Sequence, residues 1–423
     1  MPNHDQIGLR VRGARSPEQL PPDGHGQPRT PMKSDIRVQG RSDGRPARSA
    51  LGALGLIAIL LSVFLLVSGA AGGPSELVPG RTGGWPSWVA GPLRGLGLGP
   101  LSADQFQTLT LVMSAGYLVV LACARALPLR VIAAAIIAAD AILLLGPPLL
   151  SQDVFGYLAF ARLGVVHGLD PYRHVFAQAP TDPIYPFIGW PYQHSPYGPL
   201  FTLASYATAP LGLAGGLWAL KALAVAGSLT AVALTDRAAL AEGSSRGYAV
   251  AFVGLNPVML ELALGGAHND TLVLAFIAGA LVLAGAPTLR LPSDRRSLRS
   301  PVGGALTLAI GVGIKATAGI VLPFIVLAPR SWPERGRVAL AGLAGLALVA
   351  ILGLIGFGTH ALGFIGAIGE QQQLVAAHSI PAETARLFGL SGTPTWWRHC
   401  FLAAFVLILC YALYRTARGA DWR

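Results

Sequence analysis

The chain has 423 residues, of which 53% are hydrophobic and only 12% charged. An ordinary soluble domain carries about 25% charged residues, so a soluble multi-domain protein is excluded. Several apolar runs reach the ~20 residues that a spanning helix needs. They are continuous rather than alternating in ~10-residue pieces, which excludes an outer-membrane barrel. The formal net charge of +11 is no nucleic-acid footprint, because nine of the 31 basic residues lie in the first 48, among Pro, Gly, Ser and Asp.

That opening stretch cannot bury a core. It reads as a disordered basic cytoplasmic tail, residues 1–50, and not as a cleavable signal peptide, whose apolar run would begin much earlier. Clear apolar stretches follow at Leu51–Ala71, Thr108–Ala126, Val131–Leu150, Gly215–Thr235, Tyr248–Leu264, Thr271–Gly285, Val338–Phe357 and Cys400–Tyr414. Pro199–Leu213 is short for a crossing and reads as an interfacial or re-entrant piece. Val302–Ala328 is interrupted at Lys315 and reads as two halves. The expected fold is all-α: a multi-pass membrane domain over 51–418 with about ten transmembrane helices, then a short cytoplasmic tail at 419–423. Cys123, Cys400 and Cys410 form no spacing pattern, so neither a disulfide framework nor a zinc site is expected.

The positive-inside rule orients this layout. With the N-terminus inside, the inner loops hold fourteen basic residues, including Arg290, Arg295, Arg296 and Arg299, whereas the longer outer loops hold seven. Both termini are therefore placed in the cytoplasm. Trp85, Trp88, Trp190, Trp396 and Trp397 fall on the outer side as an aromatic belt. The polar clusters Ser151–Tyr172, Trp190–Pro199, Gly265–Asp270, Lys315 and His378–Glu383 all fall on that same face, as the parts of one site would.

Each cluster has a functional and a plain reading. Asp153 opens a stretch of helical period in which Gly156, Tyr157, Gly164 and His167 share its face, while glycine lets a ligand approach the backbone. Alternatively, Asp153 is only an N-cap. Gly168–Tyr172, with Asp170, is a turn, and His194–Pro199 is a rigid loop carrying His194 and Tyr197. In GGAHND, Asn269 or Asp270 suits a cap, yet His268, Asn269 and Asp270 are more polar material than a cap requires. Asn256-Pro257 should kink the preceding helix. Lys315 either faces a cavity and an anion or snorkels to headgroups. Asp140 is a possible partner for Lys221, and Glu261 is a further intramembrane carboxylate. No phosphate loop, paired-Cys motif or HExxH is present.

DVFGYLAFARLGVVHGLDPY, SPYGPL, LNPVMLELALGGAHND, GIKATAGIVLPF and HSIPAE together resemble the actinobacterial polyprenyl-phosphomannose-dependent α-1,6-mannosyltransferases, membrane glycosyltransferases of the C-type fold. Typical members are longer, with more C-terminal spans. The resemblance implies an inverting transferase, working on the outer face of the plasma membrane. It would take a sugar from a polyprenyl-phosphate donor among the membrane lipids and pass it to a glycan or lipoglycan acceptor. Asp153 matches the general base. Lys315, His268 and Arg162 are candidates for stabilising the phosphate, although Arg162 falls opposite Asp153 on a regular helix. Tyr157, Tyr172 and Tyr197 are candidates for stacking on sugars. With His167, Asp170, His194, Asn269, Asp270 and His378 they make up the expected substrate-binding set, with no metal and no cofactor.

The rival classes are a transporter or flippase and a non-catalytic envelope assembly protein. A transporter places its site near the midplane, often between repeated halves, and no internal repeat is evident. Arabinose or glucose from the same lipid carrier is a rival donor.

Overall fold

The computed structural model describes residues 44–73, 86–96, 98–285, 300–372 and 379–419. The basic tail before residue 44, Trp85, the loop carrying Arg290 to Arg299, His378 and the last four residues lie outside the described residues.

Among the described residues the chain is all-helical. In chain order the longer elements are α1 (Gly44–Ala71), α2 (Ala103–Cys123), α3 (Leu129–Leu145), α4 (Asp153–Val165), α5 (Pro199–Tyr206) and α6 (Gly212–Ala241). They continue as α7 (Arg246–Gly254), α8 (Asp270–Ala284), α9 (Pro301–Ile314), α10 (Trp332–Phe357), α11 (Gly363–Gln372), α12 (Ile380–Leu387) and α13 (Thr395–Ala417). Among the described residues, five helical stretches are long and apolar enough to cross a membrane: Pro46–Ala71, Ala103–Cys123, Pro199–Ala241, Trp332–Glu370 and Thr395–Ala417. Asp270–Ala284, Pro301–Ile314 and Ala316–Leu327 are shorter apolar helices. The outward faces carry bare apolar side chains, such as Leu111 at 70% and Ile355 at 77% exposure. In water this would be a liability; against hydrocarbon it is the expected surface of a membrane protein.

Small residues bring the helices together, as they do where lipid removes the hydrophobic drive between helices. On α1 and α2, Gly55 and Gly116 face each other: a Cβ on either would come within 3 Å of the other's carbonyl oxygen. On α6, a Cβ at Gly227 would meet the backbone of Thr271 and Leu272, so its absence lets α8 cross one turn from Asn269 and Asp270. The short α4 lies in the middle of the molecule, with Val154, Phe155, Tyr157, Leu158 and Leu163 buried.

Breaks in the helices fall where the residues make them. Asn256-Pro257 ends α7; Asn256 Oδ1 accepts from the N–H groups of Val258 and Met259, and Met259–Leu264 then winds as a π-helix. That form is rare and frequent at functional sites. At Lys315 the backbone turns extended (φ −153°, ψ 128°), ending α9 before a 3-10 turn over Ala316–Val321. Pro199–Leu213 is α5 followed by a 3-10 turn at Ala209–Leu211 that runs into α6.

The expected Asp140–Lys221 pair does not form. Lys221 donates to the Leu143 carbonyl at 2.9 Å, and among the described residues neither Asp140 carboxylate oxygen has a hydrogen-bond partner. The amine finds its acceptor one turn further along the same helix.

Candidate functional site

Asp153 stands in the first turn of α4, where a carboxylate interacts favourably with the helix dipole. It is not the cap. Gln152 occupies that position without a side-chain bond, and the Asp153 N–H donates to Ser151 Oγ at 3.1 Å. The carboxylate is thereby left free of capping, contrary to the plain reading of this residue.

The opposite wall is the GGAHND turn. The His268 N–H donates to the Ala263 carbonyl across the end of the π-helix at 2.7 Å. The Leu149 N–H donates to the Gly265 carbonyl at 2.8 Å, which joins this turn to the strand of chain leading to Asp153. Leu150 and Ala267 sit on either side of that bond with φ of 59° and 53°. Such a conformation costs a non-glycine residue about 1–3 kcal/mol and clusters at functional sites. Neither residue announces it in the sequence, which has glycine or asparagine at neither position.

These constraints bring four expected residues together. His268 Nδ1 lies 3.4 Å from Asp153 Oδ2 and 3.6 Å from Asp270 Oδ2. Lys315 Nζ donates to Asp270 Oδ2 at 2.7 Å. The Lys315 reading as a snorkelling cation is replaced by a cation held on an anion, beside the loop of Tyr197, because the Gly198 N–H donates to the Ile314 carbonyl at 3.0 Å. Asn269 is also in place. Its N–H donates to Tyr157 Oη at 3.2 Å, while the Tyr157 hydroxyl lies 3.4 Å from Asn269 Oδ1. The buried Asn269 Nδ2 has no partner among the described residues.

A narrow cleft of about 20 Å³ runs from Asp153 past Gly156, Phe160, Trp190, His194 and Tyr197. Gly156 is buried, yet a Cβ built on it would meet nothing within 4 Å. It therefore faces the cleft, and a side chain there would occupy it. Gly164 does the opposite. The ring of Tyr206 packs directly against it, so this glycine admits a protein side chain and not a ligand.

The remaining expected residues are engaged elsewhere. Arg162 and His167 both turn to Asp182: the guanidinium donates through Nε at 3.0 and 3.1 Å and through Nη2 at 2.9 Å, and His167 Nε2 is 2.8 Å away. His167 leaves the Asp153 face because α4 ends at Val165. The tyrosines are buried rather than free to stack. Tyr157 and Tyr197 meet edge to face at 4.7 Å, and the Tyr172 hydroxyl binds Thr202 and the Tyr197 carbonyl. Asp170 accepts from the Tyr172 N–H and pairs with His360 at 3.2 Å. His194 pairs with Glu370 at 3.0 Å while lining the cleft.

Asp182, His360 and Glu370 are the polar residues that the sequence reading missed. Asp182 stands in TDP, a turn signal indistinguishable from loop punctuation. Burial raises its pKa, but the Arg162 guanidinium, the Ile184 N–H and His167 outweigh this and hold the carboxyl below its ordinary value.

A family model described as alpha-(1->6)-mannopyranosyltransferase, N-terminal domain, matches residues 51–331, a range that contains the whole cluster from Asp153 to Lys315. The chain is similar to alpha-(1->6)-mannopyranosyltransferase A of Mycobacterium tuberculosis, 32% identical over 190 residues, covering 44% of this chain and 34% of the relative. It is similar to the protein of the same name from Corynebacterium glutamicum, 29% identical over 188 residues, 44% of this chain and 36% of the relative. A probable alpha-(1->6)-mannopyranosyltransferase of Mycolicibacterium smegmatis is 26% identical over 225 residues, 46% of this chain and 39% of the relative. The matched stretches thus span about a third of the length of these relatives. No solved structure matches the chain.

Proposed function

Because the chain belongs to the alpha-(1->6)-mannopyranosyltransferase family, matched through its N-terminal domain, we propose that it is an inverting mannosyltransferase. In this reading it is a multi-pass plasma-membrane protein of the C-type glycosyltransferase fold. About ten crossings fill residues 51–418, between cytoplasmic tails at 1–50 and 419–423, and the cluster opens on the outer face. Mannose passes from a polyprenyl-phosphate carrier to a mannan or lipoglycan acceptor, in α-1,6 linkage.

The chemistry follows from the cluster. The acceptor hydroxyl attacks the anomeric carbon and its proton goes to the Asp153 carboxylate. The bond from that carbon to the phosphate oxygen breaks, and polyprenyl phosphate leaves with the electron pair. An ammonium group has three N–H donors, and Asp270 takes one from Lys315. The others are available to the phosphate as its charge develops. The single observation that carries the reading is the uncommitted Asp153 carboxylate, at the mouth of an aromatic-lined cleft and within one imidazole of a lysine-held anion.

The test is a donor panel. Purified protein is incubated with polyprenyl-phosphate mannose, glucose or arabinose and short α-1,6-mannan acceptors, and the products are analysed for linkage. Mannose alone should be transferred. Lys315→Ala should raise the donor KM by roughly 10- to 100-fold, the worth of one charged hydrogen bond at about 1.5–3 kcal/mol. Transfer of a different sugar, or of none, would overturn the proposal.

A further inference from the structure

The two nitrogens of His268 have opposite surroundings. Nδ1 faces Asp153 Oδ2 at 3.4 Å and Asp270 Oδ2 at 3.6 Å. Ionised carboxylates only accept hydrogen bonds, so the nitrogen that faces them carries the proton. Nε2 is buried without a partner and lies against Gly266: a Cβ built there would come within 2.7 Å of it. The ring therefore presents Nδ1–H to the two carboxylates.

Its two acceptors are not equivalent. Asp270 Oδ2 already accepts from Lys315 at 2.7 Å. Among the described residues no side chain hydrogen-bonds the Asp153 carboxylate, and the nearest donor nitrogen is His268 Nδ1. We propose that His268 is a positioning residue that donates Nδ1–H to Asp153 Oδ2. It thereby turns the second carboxylate oxygen toward an acceptor hydroxyl in the cleft, and it makes no contact with the donor phosphate. This assigns His268 to the acceptor side of the reaction, not to the leaving group, and it rests on Asp153 being the base. The separation is long for a hydrogen bond, as such contacts often are before substrate binds.

Amide side chains separate the two nitrogens, because Asn places its NH₂ where Nδ1 stands and Gln places it nearer Nε2. kcat and donor KM are measured for His268→Asn, His268→Gln and Gly266→Ala, each in the parent and in Asp153→Asn, with melting temperature in detergent as the folding control. His268→Gln should lower kcat on the order of 10²-fold, the usual effect of misplacing a reacting group by about 1 Å, with donor KM unchanged. His268→Asn should recover most of that loss. Gly266→Ala, which displaces the ring, should behave as His268→Gln does. In the Asp153→Asn background none of them should cost anything further, since a residue acting through Asp153 has nothing left to position. Gln performing as well as Asn, a raised donor KM, or a full extra loss in that background would each overturn the positioning role while leaving Asp153 as base. An Asp153→Asn variant as active as the parent would sink the base itself, and the positioning role with it.

Discussion

Two clusters in this molecule combine carboxylate, histidine and cation, one Asp with Arg162 and His167 around Asp182 and two Asp with His268 and Lys315 around Asp153, and they differ in how far they are satisfied. Around Asp182 every bond is short: three contacts from Arg162 at 2.9 to 3.1 Å, one from His167 at 2.8 Å and the Ile184 N–H at 3.0 Å. Its side chain is 1% exposed. Around Asp153 the nearest histidine stands at 3.4 Å and the carboxylate is 18% exposed. A carboxylate with every lone pair occupied has no capacity to take a proton from a substrate; one held on a single side has. The kinds of group are alike in both places, and degree of satisfaction separates a structural tie from a candidate catalytic group.

The largest effect expected from breaking this contrast is on folding. Asp182→Ala leaves the part-buried Arg162 without its carboxylate, which should cost up to about 3 kcal/mol, read by denaturation in detergent, while transfer per folded molecule persists. The pH dependence has a definite sign. The folded pKa of Asp182 lies below its unfolded value, so its stabilisation is fully present above the unfolded value of about 3.9. It is lost as pH falls through the folded value. The stability gap between parent and Asp182→Ala should therefore persist down to about pH 4 and close only in stronger acid.

A smaller effect sharpens the contrast from the side of the cleft. Gly156→Ala places its Cβ in open space, so melting should be little changed. Acceptor KM should rise about tenfold or more, about 1.4 kcal/mol per decade. A variant with unaltered acceptor KM would show that the acceptor does not use this cleft.

Much of this was legible in the sequence because it is local. The apolar runs mark the helices to within a few residues; Pro257 and Lys315 mark the breaks, since one lacks an N–H and the other is a cation in an apolar run. Helical period alone put Arg162 on the face away from Asp153, and it does point elsewhere. Pairings across the chain were not legible. His194 and Glu370 are 176 residues apart, and no local pattern links them. The burial of Tyr157, Tyr172 and Tyr197 was hidden for a related reason: a tyrosine in a polar loop reads as available until the rings that cover it are placed. The strained backbone at Leu150 and Ala267 was equally hidden, because it is imposed by the joined chains around it and not by those residues.

In the proposed mechanism Asp153 acts by its charge, whereas Asp182 acts by its bonds. The direct test is to measure mannosyl transfer per folded molecule and melting temperature side by side for Asp153→Asn and Asp182→Asn. Asp153→Asn should lower transfer on the order of 10²–10⁴-fold, the contribution of a general base. Its stability should change by no more than the about 0.3–1 kcal/mol of a helix-dipole interaction. Asp182→Asn should melt lower and transfer normally. Normal transfer by Asp153→Asn, or a melting loss equal to that of Asp182→Asn, would contradict the account.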